Sequence, residues 1–174
     1  EAQETEDGFE LSWQVNYLAP FLLTQLLLPA LLERPDARVI NISSSGHRAG
    51  KIHFEDINLR NGFNGMTAYC QSKLANVLFT QELARRTQGS SLTTYAVDPG
   101  AVLTDLLAQT GFNPPGAKPA KEMVRKWLPA VMGPQSGSNS GGYFAPTGRL
   151  SEPSTRDPKL AARLWALSEK QIAK

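Results

Sequence analysis

The chain has 174 residues, 41% of them hydrophobic and 20% charged, with a net charge of +2. Those numbers describe one globular domain able to bury a core, and without a Lys/Arg cluster they argue against a nucleic-acid or anionic-membrane surface. Cys70 is the only cysteine, so no internal disulfide can form and a reducing, cytoplasmic setting is expected.

No run looks long enough to cross a bilayer, because Phe21–Leu32 is broken by Thr24, Gln25 and Pro29. The chain opens on Glu1, its first methionine is Met66 and no secretory signal leads it, so it reads as beginning inside something longer. Residues 1–7 are polar and read as a loop. Thr5 or Asp7 can cap a helix running to about Glu33, where Arg34-Pro35-Asp36 ends it. Phe9, Trp13, Leu18, Leu22, Leu26 and Leu28 recur at roughly helical spacing, and apolar residues on other faces predict a largely buried helix. Pro20 has no N–H, so the Asn16 carbonyl lacks its normal helical bond and can hold a water, or else Pro20 is an ordinary buried kink.

Arg38–Ser43 is short and β-branched and runs into Ser44-Ser45-Gly46, which is how the carboxyl edge of a central parallel strand reads. A long polar connection leads to a helix over 69–86, with Arg85 and Arg86 placed favourably at its end. Leu92–Val97 is a second β-rich run, stopped by Asp98-Pro99-Gly100. Helix, strand, helix, strand predicts a parallel sheet in an α/β layer fold. Residues 103–140, with Pro114, Pro115, Pro119 and the Ser/Gly run 136–142, read as a short helix or two plus loops over the sheet's carboxyl edge. Residues 142–145 make a short last strand, and Asp157-Pro158 starts a terminal helix through Leu160, Leu164, Trp165, Leu167 and Ile172.

Tyr69 and Lys73 lie four apart on one helical face. A phenol with a pKa of about 10 is a poor proton donor or acceptor at neutral pH, and a fixed ammonium nearby would favour its phenolate and lower that value. The plainer reading is a Tyr in a helix–sheet seam with Lys reaching to solvent. What lifts the pair is its setting. Ligands of open parallel sheets bind at the carboxyl ends of the strands, where Ser43–Ser45 and Asp98–Gly100 both fall, so hydroxyl, phenol and ammonium can meet in one crevice.

These pieces together resemble the short-chain dehydrogenase/reductase family, and more closely its retinol-dehydrogenase-like branch. They are Val15–Thr24 with its Asn16, Arg38–Ser44, Ala68–Phe79 containing Tyr-Cys-Gln-Ser-Lys, Thr94–Gly100 and Gly142–Phe144, together with the long Ser44-to-Tyr69 spacing that contains Gly50-Lys-Ile-His-Phe54. The resemblance implies that Tyr69 and Lys73 are the catalytic tyrosine and lysine, that Ser44 orients the substrate, and that Asn16 is the helix asparagine; spacing alone does not separate Ser44 from Ser43 or Ser45. It implies that Tyr69 and Lys73 also touch the cofactor, with Pro99, Gly100, Val102 and Thr104 facing its nicotinamide carboxamide. The implied cofactor is NADP or NAD, with a lean to NADP. The implied substrate is a small apolar alcohol or carbonyl.

The glycine-rich strand–turn–helix that receives a pyrophosphate has no counterpart in the required order. The expectation is therefore one partial domain over 1–174, the second half of a Rossmann-like, doubly wound parallel sheet flanked by helices. It carries the catalytic residues and lacks the amino-terminal dinucleotide-binding half. An oxidoreductase is the first reading, with homo-oligomers and a membrane anchor on a longer parent both compatible. A truncated, non-catalytic scaffold acting through protein association is the second. A sugar-nucleotide epimerase fits less well, because the tail after Gly100 is short for a substrate domain. His47 and His53 lack metal-ligand spacing. Cys70 points off the Tyr69/Lys73 face and reads as a small buried hydrophobe. Trp13, Trp127 and Trp165 read as core or seam residues, whereas Met123, Trp127, Leu128 and Met132 fit an apolar pocket and a sheet-packing helix equally well.

Overall fold

The structure is a computed structural model that describes residues 2–109, 114–133 and 136–173. Helix α1 spans Leu11–Leu32. Neither Thr5 nor Asp7 caps it: Thr5–Gly8 close a tight turn (Gly8 N–H to Thr5 carbonyl, 2.9 Å), and the Glu10 carboxylate accepts from Ser12 and Trp13 N–H at 2.9 and 2.7 Å. Gln14–Leu18 is a π-helical turn, one residue wider than α-helix. That is the backbone's accommodation to Pro20, which cannot donate to the Asn16 carbonyl.

Two expectations for α1 are corrected. It is 22 residues long and contains an 18-residue stretch with a mean hydropathy of 1.6, and so by length and composition alone it could cross a membrane. The interruptions Thr24 and Gln25 are polar but uncharged, and no Asp, Glu, Lys or Arg occurs between 11 and 32. Nor is the helix largely buried. Trp13, Tyr17, Leu18 and Phe21 enter the core, while Leu23 and Leu26 are 58% and 70% exposed and Val15, Leu22 and Leu27 lie open beside them.

Strands β1 (Arg38–Ile42) and β2 (Thr93–Val97) pair in parallel, Arg38 opposite Thr93 through Ile42 opposite Val97. Between them runs α2 (Gly65–Arg86), which starts four residues before Tyr69 because Asn64 caps it through Thr67 N–H. After β2 come β3 (Val102–Leu103), α3 (Asp105–Gln109), β4 (Lys118–Pro119) and α4 (Ala120–Met132), with β3 and β4 paired as a separate ribbon. Next, β5 (Gly142–Phe144) joins β2 in parallel, β6 (Leu150–Ser151) adds an antiparallel edge, and α5 (Pro158–Ile172) is capped by Asp157. The sheet order is β1-β2-β5-β6, a mostly parallel α/β layer as expected; the β3–β4 ribbon and β6 were not foreseen.

Both sheet faces are covered, which is why β2 carries no solvent-facing alternation. On one face α1, α2 and α5 bury Trp13, Tyr17, Phe21, Leu78, Phe79, Leu164 and Trp165. On the other, Trp127 and Val131 of α4 pack on Tyr95, Val97 and Phe144. Trp127 is thus a packing residue; Met123 is also buried, with its Cε against Gly100, and Leu128 and Met132 are 40% and 48% exposed. Trp13 and Trp165 are core residues as expected.

The loop after β1 is pressed onto α2. A Cβ on Gly50 would sit 2.5 Å from the Cys70 carbonyl oxygen and 2.8 Å from Leu74 Cβ, so the glycine is required for close approach rather than for its φ of −73°. Gly50→Ala is expected to destabilise the fold by roughly 1–3 kcal/mol through overpacking against backbone, read as a lower urea midpoint. An unchanged midpoint would mean that the loop lifts off α2 without cost.

Candidate active site

The parallel ladder runs on past β1, with Ser43 N–H donating to the Val97 carbonyl at 2.8 Å. The chain then turns into a 3-10 segment, Ser45–Ala49, capped by Ser44, whose Oγ accepts from Gly46 N–H. The three candidate serines now separate. Ser43 Oγ is spent on the Lys73 carbonyl at 2.9 Å, tying the strand end to α2. Ser45 lies inside the 3-10 turn. The Ser44 hydroxyl is the one that acts on the Tyr69 phenol, favouring its ionised form. Gly46 makes that possible, since a Cβ there would lie 3.1 Å from Tyr69 Cε1.

Lys73 Nζ sits 5.6 Å from the centroid of the Tyr69 ring and donates to the Ile42 carbonyl at 3.1 Å. Phenol, hydroxyl and ammonium therefore share one crevice at the carboxyl end of β1. The electrostatics differ from the expectation in one respect. Burial pushes the Tyr69 phenol above its usual range, opposed by the Ser44 hydroxyl, and burial also lowers the Lys73 ammonium from its usual value. Desolvation outweighs the stabilising partner for each group, so Tyr69 is a neutral phenol at neutral pH rather than a phenolate prepared by Lys73.

Asn16 is placed near this crevice but not as expected. Its carbonyl is not left free: Asn76 Nδ2 donates to it at 3.0 Å and also to the Ile42 carbonyl at 3.3 Å, while the Asn16 amide donates to Ser72 Oγ. Asn76 thus links Asn16 to the carbonyl that holds Lys73. Pro99, Gly100, Val102 and Thr104 follow β2 directly. Gly100 has a φ of +74°, a conformation that favours glycine, and donates its N–H to Asp98 Oδ1 at 2.7 Å. Val102 is half-buried in β3, and exposed Thr104 lies at the start of α3, its Oγ1 3.4 Å from Leu107 N. None of these four has a hydrogen bond to Tyr69 or Lys73 among the described residues.

Three residues behind the crevice, although they fall in segments named above, were given no role in the site from sequence. Asp98, buried at the end of β2, accepts from Tyr143 Oη at 3.1 Å. The Tyr143 ring lies 4.6 Å from that of His47. His47 is wholly buried, its Nδ1 2.6 Å from the Ser44 carbonyl and its Nε2 accepting from Ser154 N–H. A backbone N–H can only donate, so the proton sits on Nδ1 and the ring is neutral, as burial favours. A carboxylate straight after an apolar strand was the one sequence signal that could have drawn attention to Asp98. Cys70 is buried, and burial raises its thiol, as fits a packing residue. Two cavities, of about 450 and 410 Å³, surround the Thr87–Ser90 turn and touch none of these site residues.

Comparison with known proteins gives this geometry a context. The family model for short chain dehydrogenase matches residues 1–113. Human retinol dehydrogenase 12 is 42% identical over 173 residues, covering 95% of this chain and 55% of that protein. The crystal structure of an uncharacterized protein from Mycobacterium paratuberculosis superposes with a TM-score of 0.77 at 35% identity, over 100% of this chain and 63% of that one. A short chain dehydrogenase from Escherichia coli CFT073, complexed with NADPH, superposes at 0.61 with 29% identity, over 77% and 51%. The chain spans about half the length of the curated relatives it matches. With a family match across most of its length and the same fold in solved relatives, the chain belongs to the short chain dehydrogenase family.

Proposed function

We propose that the chain is the catalytic half of a nicotinamide-dependent oxidoreductase that interconverts an alcohol and a carbonyl on a largely apolar substrate. The observation that carries this reading is the meeting of Ser44, Tyr69 and Lys73 at the carboxyl end of β1, together with kinship to retinol dehydrogenases. Tyr69 exchanges a proton with the substrate oxygen. Ser44 donates a hydrogen bond to that oxygen as charge develops on it. Lys73, an ammonium with three donors of which one goes to the Ile42 carbonyl, has donors left for a ribose, and Asn16 with Asn76 braces the carbonyl that positions it. Pro99, Gly100, Val102 and Thr104 are the segment assigned to the nicotinamide carboxamide.

The donor set fits the nicotinamide-ribose end of a dinucleotide, which when bound supplies or accepts the hydride. The lean is to NADP, on the resemblance to the retinol-dehydrogenase-like branch; the E. coli relative solved with NADPH is in keeping with it. The pyrophosphate end does not fit, because among the described residues no glycine-rich turn joins a strand to a helix. The isolated 174-residue chain is accordingly expected to bind NADPH more weakly than micromolar in calorimetry. A micromolar dissociation constant would sink the half-site reading.

A second reading, association without catalysis, is favoured by the open leucine face of α1 and by β1, which pairs only with β2 among the described residues and leaves Ile42 44% exposed. The same surface suits a homo-oligomer, or the remaining length that the relatives possess. A reducing, cytoplasmic setting is proposed on the lone buried Cys70. The two readings separate on whether NADPH oxidation by an apolar aldehyde depends on Tyr69.

A further inference from the structure

We propose that His47 is a positioning residue for Ser44: its Nδ1–H clamps the Ser44 carbonyl, segment 152–156 fixes the tautomer that makes this possible, and the clamp sets where the Ser44 hydroxyl stands beside Tyr69. This rests on the functional reading above, in which Ser44 holds the substrate oxygen.

Both nitrogens of the buried ring are used, in opposite senses. Nδ1 lies 2.6 Å from the Ser44 carbonyl oxygen, and Nε2 accepts from Ser154 N–H at 3.1 Å. Only the neutral Nδ1–H tautomer satisfies both, because an amide N–H cannot accept and a carbonyl cannot donate. The Ser44 carbonyl also accepts from the His47 N–H at 3.0 Å. Both of its lone pairs are thus filled from one residue, and the peptide plane after Ser44 is held. Ser44 Oγ in turn accepts from Gly46 N–H at 3.2 Å, a bond that uses an oxygen lone pair and keeps the hydroxyl hydrogen for the crevice. Backbone and side chain of Ser44 are each fixed, so the donor aimed at a substrate oxygen is preorganised.

The far side of the ring is anchored as well. Segment 152–156 joins β6 to α5, and three further bonds seat it. Ser154 Oγ donates to the His47 carbonyl at 3.3 Å, Arg48 Nη2 to the Glu152 carbonyl at 2.7 Å, and Gln81 Nε2 of α2 to the Thr155 carbonyl at 2.9 Å. The Tyr143 ring, 4.6 Å away and tilted by 53°, closes one side of the imidazole. Gly46 lets the same loop lie on Tyr69, since a Cβ there would stand 3.1 Å from Tyr69 Cε1. The imidazole is therefore a rigid strut between parts of the chain 107 residues apart. Phenylalanine has its shape and neither polar atom, and asparagine and glutamine each reach one partner only. A displacement of Ser44 by about 1 Å is enough to cost roughly 10²-fold in rate, which is how a buried residue acts on the reaction through Ser44.

The test separates the two ends of the strut. In the 174-residue chain, serines labelled with 13C at the carbonyl and 15N at the amide are read by NMR, with Ser44→Ala and Ser154→Ala assigning the signals. His47→Asn keeps a donor for the Ser44 carbonyl, needs no tautomer fixed, and loses the acceptor for Ser154. The Ser154 amide is expected to move and the Ser44 carbonyl to hold. His47→Gln keeps the acceptor and loses the donor, and the opposite result is expected. Each variant gives up one bond, so their urea midpoints should agree. In any form of the protein that turns a substrate over, kcat should fall by about 10- to 100-fold in His47→Gln and stay within a few-fold of wild type in His47→Asn. A Ser44 carbonyl that stays in place in His47→Gln overturns the proposal. Equal losses of kcat in the two variants also overturn it, because lost packing rather than the Ser44 bond would then be the cause. Signals that move as expected in a chain without oxidoreductase activity leave the placement of Ser44 standing and remove the functional reading alone.

Discussion

Tyr69→Phe is expected to lower kcat/KM for an apolar alcohol or carbonyl by about 10²- to 10⁴-fold, the usual worth of a positioned general acid–base group, in any form of the protein that turns such a substrate over. The substitution removes one oxygen and keeps the ring against Gly46, where the backbone allows only close packing. The change leaves the packing of the ring in place, so circular dichroism and the urea midpoint should remain near those of the wild type. Turnover within a few-fold of wild type would remove Tyr69 from the chemistry. The burial of the phenol adds a sign to the prediction. Because Tyr69 is pushed above its ordinary range, its acid form persists through neutral pH. Carbonyl reduction should then hold steady there and fall only as the pH rises through that raised value, whereas alcohol oxidation, which needs the phenolate, should climb over the same alkaline interval.

How legible this was in the amino-acid order depended on the range of the contacts involved. The strands β1 and β2 are short, apolar and bounded by small polar residues, and α5 announces itself with Asp157-Pro158; each is set by neighbours in sequence. Tyr69 and Lys73 share a face because helix geometry demands it. Choosing among Ser43, Ser44 and Ser45 was beyond spacing, since it turns on Ser43 reaching Lys73 thirty residues away. Asp98 with Tyr143 and His47 with Ser154 are joined across 45 and 107 residues, and no local pattern marks such pairs. The leucine face of α1 was misjudged for a related reason. A helix apolar on every side signals burial only if neighbours exist to cover it, and neighbours are a tertiary fact. The early cap of α2 was missed because Gly65 and Thr67 carry weak helical propensity and Asn64 reads equally well as a turn.

Phe79→Ala is expected to cost about 3–5 kcal/mol, against a total stability of roughly 5–15 kcal/mol for such a domain. Phe79 is on α2, 2% exposed, with ring centroids of Phe21, Trp165 and Tyr17 at 5.2, 5.8 and 6.3 Å. Those rings belong to α1, α5 and α1 again, so one side chain is the point where three helices meet beneath the sheet. The cavity left by truncation cannot close without moving a whole helix, and the lost aromatic contacts add to the transfer cost. Urea denaturation should show a lower midpoint at nearly constant slope, and a loss below about 1 kcal/mol would mean that the helices repack freely. Leu26→Gln is the matched contrast on the far side of α1. At 70% exposure it should change stability by no more than about 0.5 kcal/mol if that face meets solvent. A larger loss there, growing with protein concentration, would show the leucine face covered by another copy. The same pair of variants thus separates what holds the Tyr69 helix in place from what the helix beside it was shaped to meet.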